Sequence, residues 1–493
     1  MRLHDLLDAT EVLEVVHDPS GDATATDVSD VTHDSRAARP GSLFCCIPGQ
    51  HSDGHEYAAA AVDRGAVALM VERVLAPAVP QARVPSVRRA IGPVAARFHG
   101  EPSRAVPVLG VTGTNGKTTT TFFLEAILAA HGLRPGVIGT LGVRFEGDVT
   151  PMPFTTPEAT ELQRALAELR ARGADAVAME VSSHALAEHR VDGTVFAAVC
   201  FTNLSRDHLD LHGSIEEYFA AKARLFTTGF TTRAAIDVDD AHGVELAQRA
   251  RDEGIAVRTF AIDAPADVRL AVRTEDAHGT TGRLTLGAGD DGADLVVPIP
   301  GRFNAANALA AAATASHLGI DAATIARGVA AVAPIPGRFE RITSAAPVTV
   351  VVDYAHTPDG IATALGAARA IGSGRVIAVF GCGGDRDPAK RAEMGAAAGR
   401  GADVVVLTSD NPRSEDPAAI AAMAARGLDD TGAAYTVELD RRAAIRAAIT
   451  AAVAGDLVMV LGKGAESGQQ IGATRVPFDD RVVAAEELES AWS

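Results

Sequence analysis

The sequence predicts a multidomain α/β protein built on parallel sheets. Short apolar runs alternate with helix-periodic stretches through most of the chain, as repeated β-α units require. Polar, glycine-rich turns follow those runs, at the strand ends where open α/β sheets bind ligands. The length of 493 residues corresponds to about three domains. Breaks in the pattern divide the chain into residues 1–102, 103–336 and 337–493.

Composition narrows the function classes. Hydrophobic residues make up 47% and charged residues 22%, a soluble globular balance with ample core. Aromatics are only 4%, so alanine must carry much of the core and helices should pack closely. A net charge of −18 argues against a nucleic-acid groove, which needs a basic surface. Any anionic ligand must be held by local donors. Cys45, Cys46, Cys200 and Cys382 form no C-x-x-C pair and read as reduced core residues, not as a zinc site or a disulfide framework. The start, Met1 to Leu7, is charged and lacks the apolar segment of a signal peptide. No stretch resembles a membrane span; the alanine-rich run after Asn307 reads as a buried helix. A cytoplasmic protein is expected.

In the first unit, residues 43–47 read as a strand ending in the polar loop 50–53. That loop is either a ligand loop or a turn-rich connection. A helix over 56–64 and a strand over 66–71 follow.

The central unit opens on an apolar strand, 106–111. A turn of Gly, Thr and Asn follows, then a helix over 119–130 with Phe122, Phe123, Ile127 and Leu128 at helical spacing. Strand, glycine turn and helix N-terminus make an anion site. Lys117 can reach the outer phosphates of a nucleotide and the Thr118 hydroxyl can ligate Mg²⁺. The standard pattern would put a glycine at Val111; here Gly110 and Gly113 flank it. Two more strands, 176–180 and 197–203, run into Val181-Ser-Ser-His184 and Leu204-Ser-Arg-Asp-His208. Residues 237–300 read as short strands and turns, such as 268–272 and 283–286, extending the central sheet.

One lysine lies on an apolar stripe. Ser214 and Glu217 form a capping box opening a helix that buries Ile215, Tyr218, Phe219, Leu225 and Phe226. Lys222 falls on the same face. It either snorkels past the core edge or is held desolvated, with a lowered pKa, near a charged centre. A neutral amine there can react with CO₂ to give a carbamate, a carboxylate-like ligand. Thr118, Glu180 and His208 come from the same sheet rim. Two oxygens and an imidazole, with nucleotide phosphates, suit octahedral Mg²⁺ better than zinc.

After a stiff hinge at Pro334-Ile-Pro-Gly337, strands are expected over 348–353, 376–380, 404–407 and 457–461. Gly381-Cys-Gly-Gly-Asp-Arg386, Ser409-Asp-Asn-Pro-Arg413 and Gly462-Lys-Gly-Ala-Glu466 follow three of them. The first of these lacks the spacing of a dinucleotide fingerprint. Two guanidiniums beside a carboxylate suit a ligand end carrying both carboxylate and ammonium. Alternatively, Arg413 caps a turn or pairs with Glu415 or Asp416.

Gly113-Thr-Asn-Gly-Lys-Thr-Thr119, Met179-Glu-Val-Ser-Ser-His184, Phe201-Thr-Asn-Leu-Ser-Arg-Asp-His-Leu-Asp210, Ala221-Lys222 and Val352-Asp-Tyr-Ala-His-Thr-Pro358 together resemble the Mur ligases of peptidoglycan synthesis, over nearly the whole chain. The resemblance implies a UDP-sugar-binding domain, a central ATP-binding domain and a Rossmann-like amino-acid-binding domain. It implies a monomeric, ADP-forming ligase with ATP as co-substrate and two Mg²⁺. Its closest members add meso-2,6-diaminopimelate to UDP-N-acetylmuramoyl-L-alanyl-D-glutamate through an acyl phosphate. L-Lysine or L-ornithine is the alternative amino acid. Ser35, Gln50, His51 and Ser52 would hold the uridine diphosphate, and Thr155, Thr156, Ser182 and Arg190 the muramoyl dipeptide. Gly113, Thr114, Asn115, Gly116, Lys117, Thr118, Thr119, Asn304, Asn307, Arg338 and Asp353 would hold the nucleotide. Lys117, Glu180, His208 and Lys222 would be catalytic, with Thr118, Glu180, His208 and carbamylated Lys222 on metal. Arg386, Asp410, Asn411, Pro412, Arg413, Gly462 and Glu466 would take the distal end of the added amino acid. Lysine-adding relatives commonly lack the arginine at 413. This chain departs from the family at Glu188, commonly glutamine, and at Ala465, usually histidine. Folylpolyglutamate synthase shares the central domain, but its chain starts almost at the phosphate loop. A phosphate-loop motor would have no use for the third unit's Arg, Asn and Glu cluster.

Overall fold

The computed structural model describes residues 1–16, 25–49, 52–287 and 289–492. Among these residues the chain forms three parallel-rich sheets and one small hairpin. The N-terminal sheet runs Glu14–Val16, Gln81–Arg83, Ala66–Val71, Ser42–Cys45, Asp30–Thr32, with only the first pair antiparallel. The strand expected over 43–47 ends at Cys45, and the helix expected over 56–64 is a 3₁₀ turn, Gly54–Tyr57, followed by Ala58–Asp63.

The central sheet puts the phosphate-loop strand, Val108–Thr112, between Ala176–Glu180 and Ala198–Phe201, both parallel to it. All three strands are wholly buried, as near-continuous apolar runs require. Their register brings Thr112, Glu180 and Phe201 to one carboxyl edge. Helices Lys117–Ala130 and Arg302–Ser316 share a core built largely of alanine, Ala308 and Ala310 to Ala313 among them. No described helix is long and apolar enough to cross a membrane. All four cysteines are free and buried.

Residues 237–300 are a sheet extension, but the expectation of strands and turns alone was incomplete. Helix Ala241–Asp252 lies there, capped by Asp240, whose Oδ1 accepts from His242 N at 2.8 Å. Its buried stripe is thin (Gly243, Leu246, Ala247, Ala250), so its periodicity is weak. Strand Ala256–Ala261 and its parallel neighbour Val268–Asp276 continue the sheet, which ends in antiparallel Gly279–Thr285 and Ala293–Val297.

Asp237 closes strand Arg233–Asp237 and is buried, which raises its carboxyl pKa to about 7. Its unfolded value is the lower one, so the folded form binds the extra proton. Stability from this group is therefore present at low pH and lost as pH rises from 3.8 through about 7. Asp237→Asn should gain stability over the wild type across that window and level off above it, by on the order of 2 kcal/mol at pH 8. Denaturant midpoints at several pH values check this; a pH-independent difference would refute it.

The C-terminal sheet runs Glu340–Arg341, Thr349–Asp353, Leu457–Leu461, Val376–Cys382, Val404–Ser409, Ala434–Val437. Only the first pair is antiparallel. Three adjacent strands thus end beside one another at 382, 409 and 461. Arg441 and Asp480, both 0% exposed, form a two-pronged ion pair at 2.6 and 2.7 Å. The guanidinium also donates to the carbonyls of Ser409 and Leu461, the last residues of two of these strands.

Candidate active site

The phosphate loop is clamped from the neighbouring strand end. Thr114 N donates to Asn203 O at 3.0 Å and Asn115 N to Asn203 Oδ1 at 2.9 Å. Thr202 Oγ1 donates back to Asn115 O at 2.6 Å. Gly116 has φ +89°, and a Cβ there would meet Asn307 Oδ1, so only glycine fits. Lys117 Nζ donates to Gly113 O and Thr114 O, both at 2.9 Å. Burial holds its pKa below the usual lysine value. Thr119 is buried at the helix start; Asn304 Nδ2 donates to Pro300 O at 2.7 Å.

Glu180 is 2% exposed. Its Oε2 accepts from Thr118 Oγ1 at 3.0 Å and Thr140 Oγ1 at 3.1 Å, and its Oε1 from Thr140 N at 2.9 Å. Arg338, from beyond the hinge, donates to Thr118 Oγ1 at 2.9 Å and lies 4.3 Å from the Tyr354 ring. Asp353 accepts from Phe339 N and Ala355 N, and burial raises its pKa.

Lys222 does not snorkel: it is 1% exposed, with Nζ 2.8 Å from Gly113 O and 4.3 Å from the Tyr218 ring centre. Burial, then the charge of Lys117, pulls its pKa well below the usual lysine value. The helix Ile215–Ala223 is capped by Ser214 Oγ, which accepts from Glu217 N at 3.2 Å; the reciprocal Glu217 bond is not formed among the described residues. Ile215 is only partly buried, and Leu225 and Phe226 are buried past the helix end.

His208 adopts a left-handed conformation, φ +54°, and packs edge-on against His184 with centroids 4.6 Å apart. Burial pushes its pKa down to about 3, so it is neutral at pH 7. Beside it, Asp207 is nearly fully buried. Burial alone would raise its pKa, but His356, His208 and Lys390 together draw it well below the usual carboxylate value. Lys390 Nζ lies 3.2 Å and His356 Nε2 3.7 Å from its carboxylate. Both come from the C-terminal unit, so Asp207 joins it to the phosphate-loop side. Among the described residues no group of three His, Cys, Asp or Glu could hold a metal by itself.

Thr156 and Ser182 meet behind Glu180: Thr156 Oγ1 donates to Glu180 O at 2.9 Å and accepts from Ser182 N at 3.0 Å. Thr155 Oγ1 lies 3.1 Å from Thr140 Oγ1. Arg190 pairs with Glu158 at 3.0 Å and lies 4.4 Å from the Phe154 ring centre. Glu188 is spent on Arg88 Nε at 2.9 Å, and Arg88 also reaches Glu158 at 3.4 Å. Ser35 sits half-buried in its turn and Ser52 is exposed; Gln50 and His51 lie outside the described residues.

The third cluster differs from expectation at one point. Glu466 was expected to await a ligand ammonium, but its Oε2 already accepts from Lys463 Nζ and Asn411 Nδ2, both at 2.9 Å. Arg413 pairs with neither Glu415, which holds Arg391, nor Asp416, which caps the helix Pro417–Asp429. It donates to Gly384 O at 2.6 Å, and neither it nor Arg386 makes an ion pair among the described residues. Arg386 Nη1 donates to Asp385 O at 2.9 Å. Gly384 is required by close approach: a Cβ there would sit 1.9 Å from Pro412 O. Asp410 Oδ1 accepts from Asn411 N at 2.6 Å, and a Cβ on Gly462 would meet Asp410 Oδ2. The hairpin of Gly468–Ile471 and Thr474–Pro477 pairs with Arg413, whose N donates to Gln470 O at 3.0 Å.

Sequence reasoning missed Thr140, Asp207, Lys390, Lys463 and Arg88. Asp207 and Lys463 sat inside quoted motifs, and burial of a charge was the missing signal.

Three family models match the chain: "Mur ligase family, catalytic domain" over residues 27–99, "Mur ligase middle domain" over 111–315 and "Mur ligase, glutamate ligase domain" over 337–464. The UDP-N-acetylmuramoyl-L-alanyl-D-glutamate–2,6-diaminopimelate ligase of Geobacter sulfurreducens is 41% identical over 100% of both chains. That of Streptomyces coelicolor is 42% identical over 95% of this chain and 94% of its own. A solved structure of a ligase with the same name is 34% identical, with TM-score 0.67, covering 94% of this chain and 95% of that one. A folylpolyglutamate synthase of Mycobacterium tuberculosis shares the fold at 22% identity and TM-score 0.62, but covers only 75% of this chain.

Proposed function

The chain belongs to the Mur ligase family, and on that premise we propose that it joins meso-2,6-diaminopimelate to UDP-N-acetylmuramoyl-L-alanyl-D-glutamate at the expense of ATP. The relatives' names point to this reaction, and two guanidiniums carry the choice of amino acid. Among the described residues Arg386 and Arg413 make no ion pair with a carboxylate; they stand at one edge of the C-terminal sheet, beside Asn411 and Glu466. A distal carboxylate completes them; L-lysine has none.

In this reading the glutamate γ-carboxylate attacks the γ-phosphorus of ATP, and ADP leaves. The diaminopimelate amine then attacks the acyl carbon, forming the amide as inorganic phosphate departs and the amine loses a proton. Lys117 and the loop N–H groups face the phosphates, and Arg338 brings a second cation to Thr118. Asp207, holding Lys390 and His356, keeps the C-terminal unit seated so that water is shut away from the acyl phosphate. Thr155, Thr156, Ser182 and Arg190 hold the dipeptide arm, and Ser35 and Ser52 the uridine diphosphate end.

The residues fit Mg²⁺. Thr118 and Glu180 offer buried oxygens 3.0 Å apart, the Arg338 guanidinium donates to Thr118 Oγ1, and His208 is neutral. Thr118, Glu180, His208 and Lys222 as carbamate would hold it, and it would neutralise phosphate charge.

Phosphate release with the UDP-linked dipeptide, across a panel of diamino acids, tests the reading. We expect meso-diaminopimelate to exceed L-lysine by ~10²-fold or more in kcat/KM. Equal use of lysine or ornithine would refute the amino acid assignment while leaving the ligase.

A further inference from the structure

Lys463 has 0% exposure, yet its side chain ends in an ion pair with Glu466 at 2.9 Å. Its ammonium donates to Glu466 Oε2 at 2.9 Å, Asn411 Oδ1 at 3.2 Å and Gly468 O at 2.8 Å. Three donors meet three acceptors, so the group is fully satisfied without solvent. The Asn411 amide is thereby locked: its oxygen faces Lys463 and the N–H of Gln470 at 2.9 Å, and its nitrogen faces Glu466. Glu466 is 37% exposed, and its second oxygen makes no hydrogen bond among the described residues.

The pocket's carboxylates are already hydrogen-bonded, Asp410 by Asn411 N and Glu466 by Lys463 and Asn411, while Asp410 and Glu466 both act on Arg413 through space. Glu466 is neutralised from inside, while Arg386 and Arg413 have no ion-pair partner among the described residues. Burial and the charge of Arg386 lower the pKa of Arg413, so the two guanidiniums strain against each other. Asp385, a further carboxylate acting on Arg413, is engaged with Ser414 Oγ and N. A pocket of this balance gains most from an incoming anion.

Given the amino-acid site assigned above, we propose that Lys463 is a specificity-determining residue: by neutralising Glu466 and locking Asn411, it makes the ligand's distal carboxylate, not its distal ammonium, the group selected. Without Lys463, Glu466 presents an uncompensated charge. That charge attracts the distal ammonium that both amino acids carry, but it repels the distal carboxylate that only diaminopimelate carries, so selectivity for diaminopimelate falls.

The test is a mutant cycle in the full-length enzyme, reading kcat/KM for meso-diaminopimelate and for L-lysine. Lys463→Met should lower the ratio of the two by ~10-fold or more, with KM for ATP within ~2-fold of wild type. In a Glu466→Gln background the same substitution should change the ratio by less than ~3-fold, because no charge is left to neutralise. Glu466→Gln alone leaves the Lys463 charge unmatched and should raise the ratio; it reads the proposal even where Lys463→Met does not fold. Equal losses for both amino acids, the same ratio change in both backgrounds, or a falling ratio in Glu466→Gln would overturn the role of Lys463. A wild type that prefers lysine would overturn the amino-acid assignment and this role together.

Discussion

Lys222→Ala should lower kcat by ~10³-fold or more, the upper range for losing one electrostatic stabiliser. The amine is buried against the Gly113 carbonyl and Lys117 lies close enough to depress its pKa. A protonated lysine there would cost desolvation and like-charge repulsion together. If the neutral amine adds CO₂, it forms a carbamate and releases one proton, which would replace a neutral group with an anion beside the phosphate loop. The alanine variant keeps the fold's other contacts but loses that anion. Formate or acetate, entering the vacated space, should restore part of the activity in a concentration-dependent way. Phosphate release measures both effects. A bare amine in the density of fully active crystals, or an alanine variant at more than about a tenth of wild-type rate, would rule out the carbamate.

Glu180→Ala should reduce turnover by ~10²-fold or more and weaken Mg²⁺-dependent stabilisation of the nucleotide complex. Glu180 takes three hydrogen bonds, from Thr118 Oγ1, Thr140 N and Thr140 Oγ1. Removing it leaves the buried Thr118 hydroxyl without this acceptor, frees the exposed Thr140 donors and takes away the carboxylate that would face a cation. Thr118→Ala removes the second oxygen and should fall in the same range. Thermal midpoints with ADP, titrated with Mg²⁺, separate the metal role from a loss of folding: the wild type should gain and Glu180→Ala should gain much less. Near-normal turnover in both variants at saturating Mg²⁺ would sink the site.

Most of the strand and helix order was legible because it rests on local pattern. The phosphate loop announces itself through glycines and a lysine in seven consecutive residues, and the wholly buried strands through unbroken apolar runs. Helix Ala241–Asp252 was lost because alanine and glycine give a buried stripe little hydrophobic contrast. Lys222 was visible as a misfit on an apolar face, but its burial was not, since a lysine's stem is long enough to reach solvent from such a place.

The sequence alone therefore determined the family, the three-unit order and which turns lie at strand ends, all of which are set by spacing along the chain. Only the tertiary structure decided the pairing of charges. Glu466 meets Asn411 across 55 residues, Lys463 meets Asn411 across 52, and Asp207 meets Lys390 across 183. Which ammonium neutralises which carboxylate depends on adjacent strand ends and on the water excluded between them, and neither is encoded in local spacing.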